Sequence, residues 1–451
     1  MPSFRPVVLS LALGGLVACH GDQPTGLHTK TTSGPDTPAH LITSPVWAGG
    51  EVQVSASAFE GGAALPLLIA GTETLTVRRI DDSTVAARMP TAAGTYALQV
   101  KQDTDTATLG PLTLHGYLGE TTGPYMSGRA AWVNPGTGDP PVVFASGDSG
   151  GILLDLAANS VVGTVPDSIT SPDCAMSPGP SYRGAGYFTV QGRKSGTCQY
   201  AMSWQVYPTL ALADSSSPIS GFQWYVMAEV GPKHWFMDNN NHSYAYDCSG
   251  SSCAMKSWLE GSGPNGVMID PTGQRFTWTG QDLHGAVLSA ASFDTVLALP
   301  PNTSMHGSAF SSGGDTLFFH GGLSVPPYTP YIGAAQSSDG SIVRNLIVDS
   351  LGYGHDVSAY GDVAVDPANP WLYVLVVFRD NYALLILDRG TWKAVGVAML
   401  GTLSTEANDD LSANCASIIP DPANHRVYVV ATAYGYNIHQ HNGEILAFDT
   451  P

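Results

Sequence analysis

Three stretches of this chain carry side chains whose types and spacing could do chemistry. Gly147-Asp148-Ser149-Gly150-Gly151 sets a serine hydroxyl among glycines, where a nucleophile would be open to attack a substrate. That chemistry also needs an imidazole to take the hydroxyl proton, a carboxylate to hold the imidazole, and backbone N–H groups for the oxyanion. His439-Gln440-His441 would place two imidazoles on one face of an extended segment, but two ligands fall short of a metal site. Asp238-Asn239-Asn240-Asn241-His242 offers oxygens for a hard cation, yet it lacks the glycine and the distal glutamate of a calcium loop. No catalytic residue, no metal ligand set and no cofactor is therefore assigned, and these strings must be weighed by the elements that would carry them.

Those elements repeat. Val363-Ala364-Val365-Asp366-Pro367-Ala368-Asn369-Pro370-Trp371-Leu372-Tyr373-Val374 is followed by Leu384-Leu385-Ile386-Leu387-Asp388. Ile418-Ile419-Pro420-Asp421-Pro422-Ala423-Asn424-His425-Arg426-Val427-Tyr428-Val429 is followed by Ile445-Leu446-Ala447-Phe448-Asp449. Each copy reads as strand, Asp-Pro turn, strand, loop, strand. A period of about 40 to 55 residues is the signature of an array of such sheets. The copies resemble the YVTN-type β-propeller repeat, with Val and Ala where that family often has Asn. Weaker copies run over 131–166, 175–213, 224–259, 267–299 and 307–349, so 117–451 is expected to form seven blades. The last copy stops after its third strand at Asp449-Thr450-Pro451, so a strand from within Leu118 to Trp132 is expected to complete it.

The repeat also decides the serine motif. Gly147 to Gly151 is similar to the nucleophile string of chymotrypsin-like serine proteases, and Thr37-Pro38-Ala39-His40 to their histidine string. Laying Leu153-Leu154-Asp155 on Ile386-Leu387-Asp388 places the motif between second and third strands, where Gly, Asp and Ser suit a hairpin turn. His40 ends a tether, and 41–115 is too short for a first protease barrel. In propellers, the loops between second and third strands and between blades open on one face, where members of the fold usually bind. Here that face would carry Tyr328, Tyr331, Tyr353, His355, Tyr360, Tyr434, Tyr436 and His439. Flat rings with polar tips suit a binding surface.

Residues 41–116 show short alternating strands such as Glu51 to Ser55 and Thr95 to Val100. With Ala48-Gly49-Gly50, Ala58-Phe59, Met89-Pro90 and Ala93-Gly94-Thr95-Tyr96, the segment resembles the IPT/TIG branch of immunoglobulin-like domains, which implies a spacer or binding module. The expected fold class is all-β, a small immunoglobulin-like β-sandwich followed by a seven-bladed β-propeller.

The chain start supplies a location. Arg5, the apolar run Val7 to Val17 and small Ala18 precede Cys19, and Leu16-Val17-Ala18-Cys19 resembles a bacterial lipobox. That implies a signal peptide over 1–18, lipidation at Cys19, a Gly/Pro/Thr-rich tether to residue 40, and attachment to the cell envelope. His20, in place of Asp, implies delivery to the outer membrane. The chain carries 18 Lys+Arg against 37 Asp+Glu, a net charge of −19, and removing Arg5 makes it −20. Nucleic acid is a poor partner for such a surface. Of the remaining cysteines, Cys248 and Cys253 could close a turn and Cys174 could pair with Cys198, leaving Cys415 over. The functional expectation is a monomeric, lipid-anchored binding protein for a glycan, peptide or protein. The alternative is an envelope hydrolase or lyase with its site in the central pocket.

Overall fold

Alternating apolar and polar residues with Gly, Asp and Ser at the breaks fold here into antiparallel meanders and, among the described residues, no α-helix. The structure is a computed structural model. It describes residues 39–43, 47–56, 64–102, 105–134, 139–147, 150–166, 179–184, 186–194, 197–205, 210–217, 226–239, 242–260, 267–278, 285–299, 305, 307–322, 330–347, 357–358, 362–378, 381–399, 416–431 and 442–451.

The first eight strands make two four-stranded sheets. They are β1 (His40–Thr43), β2 (Glu51–Ser55), β3 (Leu67–Ala70), β4 (Glu73–Leu75), β5 (Val77–Arg79), β6 (Thr84–Arg88), β7 (Gly94–Gln102) and β8 (Asp105–Leu114). One sheet has the order β1-β2-β6-β5 and the other β4-β3-β7-β8. Val52, Val54, Val85 and Ala87 from the first pack on Leu68, Leu98, Val100 and Leu112 from the second in one buried core. The alternation along β2, with Val52 and Val54 in and Glu51, Gln53 and Ser55 out, fixes which face turns inward.

The rest of the described chain forms seven sheets in sequence. Sheets 1 to 3 begin at Ser127–Trp132, Gly179–Pro180 and Val226–Gly231, and each adds three more strands by hairpin connection. Sheet 4 has Arg275–Trp278, Ala286–Ser289 and Thr295–Ala298, with Ile269 bridging to Phe276 where a first strand would lie. Sheet 5 begins at Gly307–Phe310, and sheet 6 is built on Trp371–Phe378 and Asn381–Asp388. Sheet 7 has Ser417–Asp421, Arg426–Ala431 and Asn442–Asp449, and its fourth strand is β9 (Tyr117–Tyr125). Ile445 faces Thr121 and Leu446 faces Glu120, so the truncated final copy is completed from the front of the region.

Each sheet buries its face against the next. Phe144 of sheet 1 stacks on Phe188 of sheet 2, with ring centroids 3.9 Å apart. Ala201 of sheet 2 meets Trp235 of sheet 3, and Phe236 of sheet 3 meets Phe276 of sheet 4 at 4.9 Å. Val287 and Leu297 of sheet 4 pack with Leu317 and Phe319 of sheet 5, and Phe318 and Ile332 of sheet 5 with Leu372 and Val374 of sheet 6. Tyr373 and Ile386 of sheet 6 share a cluster with Val427 and Leu446 of sheet 7. Tyr428 and Val430 of sheet 7 then pack on Val143 and Leu154 of sheet 1, which brings the succession back to its start.

Repeated turn chemistry shapes the sheets. Between first and second strands sits a buried Asn134, Asp270, Asp366 or Asp421. Asp366 Oδ1 accepts from the backbone N–H of Ala368 and Asn369, both at 2.9 Å, while its Oδ2 accepts from the Tyr373 hydroxyl at 3.0 Å. Asp270 Oδ1 accepts from Gln274 N–H and Arg275 N–H in the same way. A buried carboxylate satisfied by local N–H groups holds the turn that the following proline begins. Sheet-to-sheet polar links add to this, including Arg275 Nη1 to the Ser337 carbonyl and Ile418 N–H to Asp362 Oδ2 at 2.9 Å.

Candidate functional site

The described residues include only part of the face read from the sequence. Gly147 pairs with Gly150, so Asp148-Ser149 is the two-residue connection between second and third strands of sheet 1; those two residues lie outside the described set. The corresponding connections of sheets 5, 6 and 7 follow Gly322, Phe378 and Ala431 in the chain and lie outside the described residues. Tyr328, Tyr353, His355, Tyr360, Tyr434, Tyr436 and His439 lie outside the described residues, as do Cys19, Cys174 and Cys415. Asp238 and Asn239 end a strand of sheet 3 and pair with Ser243 and His242.

Tyr331 corrects the sequence reading. It is the second residue of the strand Pro330–Gln336 and is only 5% exposed, edge-on to Phe319 at 5.9 Å within the cluster between sheets 4 and 5. Pro330 at the strand start made the segment read as loop, but proline is tolerated at the first position of a strand, where it removes no ladder bond that is needed. Its ring therefore packs the core and does not serve the face.

Cys248 and Cys253 are joined in a disulfide across Ser249-Gly250-Ser251-Ser252, and Cys248 is buried beside Trp235 and Tyr246. Asp247, immediately before it, accepts from Ser249 Oγ at 2.6 Å and Ser249 N–H at 2.9 Å, and pairs with Lys256. The Ser249 bonds, hydroxyl first, and the Lys256 ammonium hold the Asp247 carboxyl down at about 2. Cys198 lies in the strand Thr197–Gln205.

A concave site that the sequence reading missed lies on the sandwich. Strands β4, β5 and β6 and the corner Met89 to Ala92 line a cleft of about 610 Å³. Its floor is the buried Leu75, Ala87 and Met89; its rim carries Glu51, Glu73, Arg78, Arg88 and Tyr96. Arg78 reaches Glu51 across β6, with Nη2 2.8 Å from both carboxylate oxygens and Nε 3.3 Å from Oε2. Tyr96 donates its hydroxyl to the Ala92 carbonyl at 3.0 Å and so pins the corner that forms one wall. The cleft is open to solvent and its lining is as polar as it is apolar, unlike the enclosed, mostly apolar pockets that hold small ligands. The charges sit on strands far apart in sequence, so no local motif announced them. Among the described residues, no three His, Cys, Asp or Glu side chains stand close enough to hold a metal ion.

Comparison with known proteins adds the following. No family model matches the chain, and no curated protein matches it. Among solved structures, the chain is similar to the β-propeller domain of Cps50 (Swd1) from Myceliophteria thermophila, at 9% identity over 75% of this chain and 100% of that one, with a TM-score of 0.48. It is likewise similar to a chain of the mitotic checkpoint complex, at 12% identity over 73% of this chain and 91% of that one, again with a TM-score of 0.48. Likeness at that level carries no functional argument, and the architecture rests on the strand pairing and sheet packing described above.

Proposed function

We propose that this chain is a lipid-anchored cell-envelope binding protein in which an immunoglobulin-like module and a seven-bladed β-propeller are held together and the propeller presents an interaction face. The observation that carries this reading is the cyclic packing: seven meandering sheets follow one another, each on the next, and the last is both packed on the first and completed by β9. A ring of that kind protects its strand edges and gathers the connections between second and third strands, and between blades, on one end. The ligand would be a glycan, peptide or protein engaged there by Tyr434, Tyr436 and His439 among others.

The immunoglobulin-like reading draws support from topology. The orders β1-β2-β6-β5 and β4-β3-β7-β8 correspond to A-B-E-D and C′-C-F-G. Tyr96, near the start of β7, which is strand F of that scheme, bonds its hydroxyl to the backbone four residues upstream, as a tyrosine corner does. Lipid attachment at Cys19 rests on the sequence of the first 19 residues, and two acyl chains would make it stable.

A glycan and peptide panel against soluble protein beginning at Gly21, read by thermal shift, tests the binding claim. A compound that stabilises the parent but not the triple variant Tyr434→Ala, Tyr436→Ala, His439→Ala supports the face. A stabilising compound whose effect survives in that variant, and is instead lost in Arg78→Ala, would move the binding function to the sandwich cleft. Metabolic labelling with a palmitate analogue tests the anchor, which Cys19→Ser should abolish.

A further inference from the structure

We infer that the sandwich is an intramolecular clasp on the closing seam of the ring, so that docking of the module and closure of sheet 7 are one event. The chain leaves the sandwich at Gly116 and enters β9, the closing strand, at the next residue. Two sets of contacts straddle that point.

On one side, Trp47 is fully buried in the cluster shared by sheets 6 and 7, edge-on to Trp371 and Tyr373 at 6.3 Å each. Its Cβ fills the space a side chain on Gly396 would need, so the outer strand of sheet 6, Ala394–Met399, carries a glycine where the tryptophan enters. Val397 N–H donates to the Ala48 carbonyl at 3.0 Å. Gly49 follows at φ +71°, and a Cβ there would stand 2.9 Å from the Val397 carbonyl oxygen, so backbone lies directly on backbone.

On the other side, Asp449 N–H donates to the Gly116 carbonyl at 2.8 Å, and His115 Nδ1 lies 2.6 Å from Asp449 Oδ2. Ala48 N–H donates to the His115 carbonyl at 2.7 Å, which ties the two sets together. Gly49 N–H to Pro90 and Met89 N–H to Gly50 bind this joint to the sandwich proper. One module therefore grips the outer edge of sheet 6 and the last residues of sheet 7 at once. A passive spacer would need neither grip.

The clasp is tested on the soluble chain from Gly21 by hydrogen exchange with mass spectrometry, using Trp47→Phe, Trp47→Ala and Gly49→Val. Tryptophan truncation empties the slot, whereas the valine forces the backbones apart, so the two act by different physics. Exchange in peptides covering 117–125, 394–399 and 442–451 should accelerate at least about tenfold in Trp47→Ala and Gly49→Val, the effect of roughly 1.4 kcal/mol on local opening. Trp47→Phe should give a smaller change in the same peptides, and peptides from 187–205 and 226–239 should hold their rates. Unchanged seam peptides would overturn the clasp. Equal acceleration throughout the ring would overturn it too, since the module would then add only general stability.

Discussion

Replacing Arg183 by alanine should destabilise the protein more than replacing its buried partner by a neutral isostere. Glu229, on the first strand of sheet 3, has no solvent exposure. Its carboxylate accepts from Arg183 Nε and Nη2, each at 3.0 Å, and from Ser181 Oγ at 2.6 Å. Arg183, from sheet 2, is the less committed member: its side chain is 26% exposed and also pairs with Asp214 at 3.3 Å. Hydrogen bonds from the guanidinium to Glu229 hold the Arg183 pKa above its ordinary value.

Arg183→Ala leaves a buried carboxylate with a single hydroxyl, and breaking a buried pair from that side costs about 3–5 kcal/mol. Glu229→Gln keeps the volume and leaves a cation that still reaches water and Asp214, a cost of about 1–3 kcal/mol. The double variant should recover part of the sum, with a coupling of about 1–3 kcal/mol. Denaturant unfolding followed by tryptophan fluorescence is suited to this, because Trp235 is fully buried in the same sheet. Arg183→Ala costing less than Glu229→Gln would refute the reasoning, as would two additive single losses.

Three further outcomes are expected. Asp247, depressed to about 2, contributes stability that is present above the unfolded carboxylate range and lost as pH falls toward 2; a carboxylate NMR titration should place its midpoint there, and a midpoint near 4 would contradict the turn geometry. Glu444 behaves oppositely: burial first, then Glu120, raise its pKa, so its own contribution to the seam is most favourable below the unfolded carboxylate range and is lost as pH rises through its raised pKa. Glu444→Gln should raise Tm at neutral pH by on the order of one degree and leave it unchanged in acid. Asp366→Ala removes four bonds from a buried turn and strands the Tyr373 hydroxyl, whose pKa burial already pushes up; a loss of about 2–4 kcal/mol in denaturant unfolding is expected, and a neutral result would mean the turn forms without its aspartate.

The repeat was legible where chemistry recurs at a fixed place in each copy. Asp366-Pro367 and Asp421-Pro422 marked the turn between first and second strands, where a buried carboxylate is satisfied locally, Asp366 by the backbone N–H groups of Ala368 and Asn369 and Asp421 by the Asn424 side-chain amide. The missing fourth strand of the last copy implied a partner from the start of the region, and β9 occupies that place. What could not be read depends on residues distant in sequence. Trp47 in Trp-Ala-Gly-Gly reads as a turn before a strand, and its slot is made by Gly396 and Trp371. Likewise the sandwich cleft joins Glu51 to Arg78 across a sheet, without local periodicity. Tyr331 was misplaced because Pro-Tyr-Thr-Pro-Tyr favours a loop reading, whereas burial against Phe319 outweighs local turn preference.

The closed ring is tested most directly by a cysteine pair across its seam. Thr122 on β9 faces Glu444 on Asn442–Asp449, so Thr122→Cys with Glu444→Cys should oxidise within one chain and shift its mobility on a non-reducing gel, with neither single variant doing so. Raised Tm in the oxidised form would accord with closure at that register. A pair that stays reduced in folded protein, or that crosslinks only between chains, would contradict the closed ring and with it the face proposed to bind.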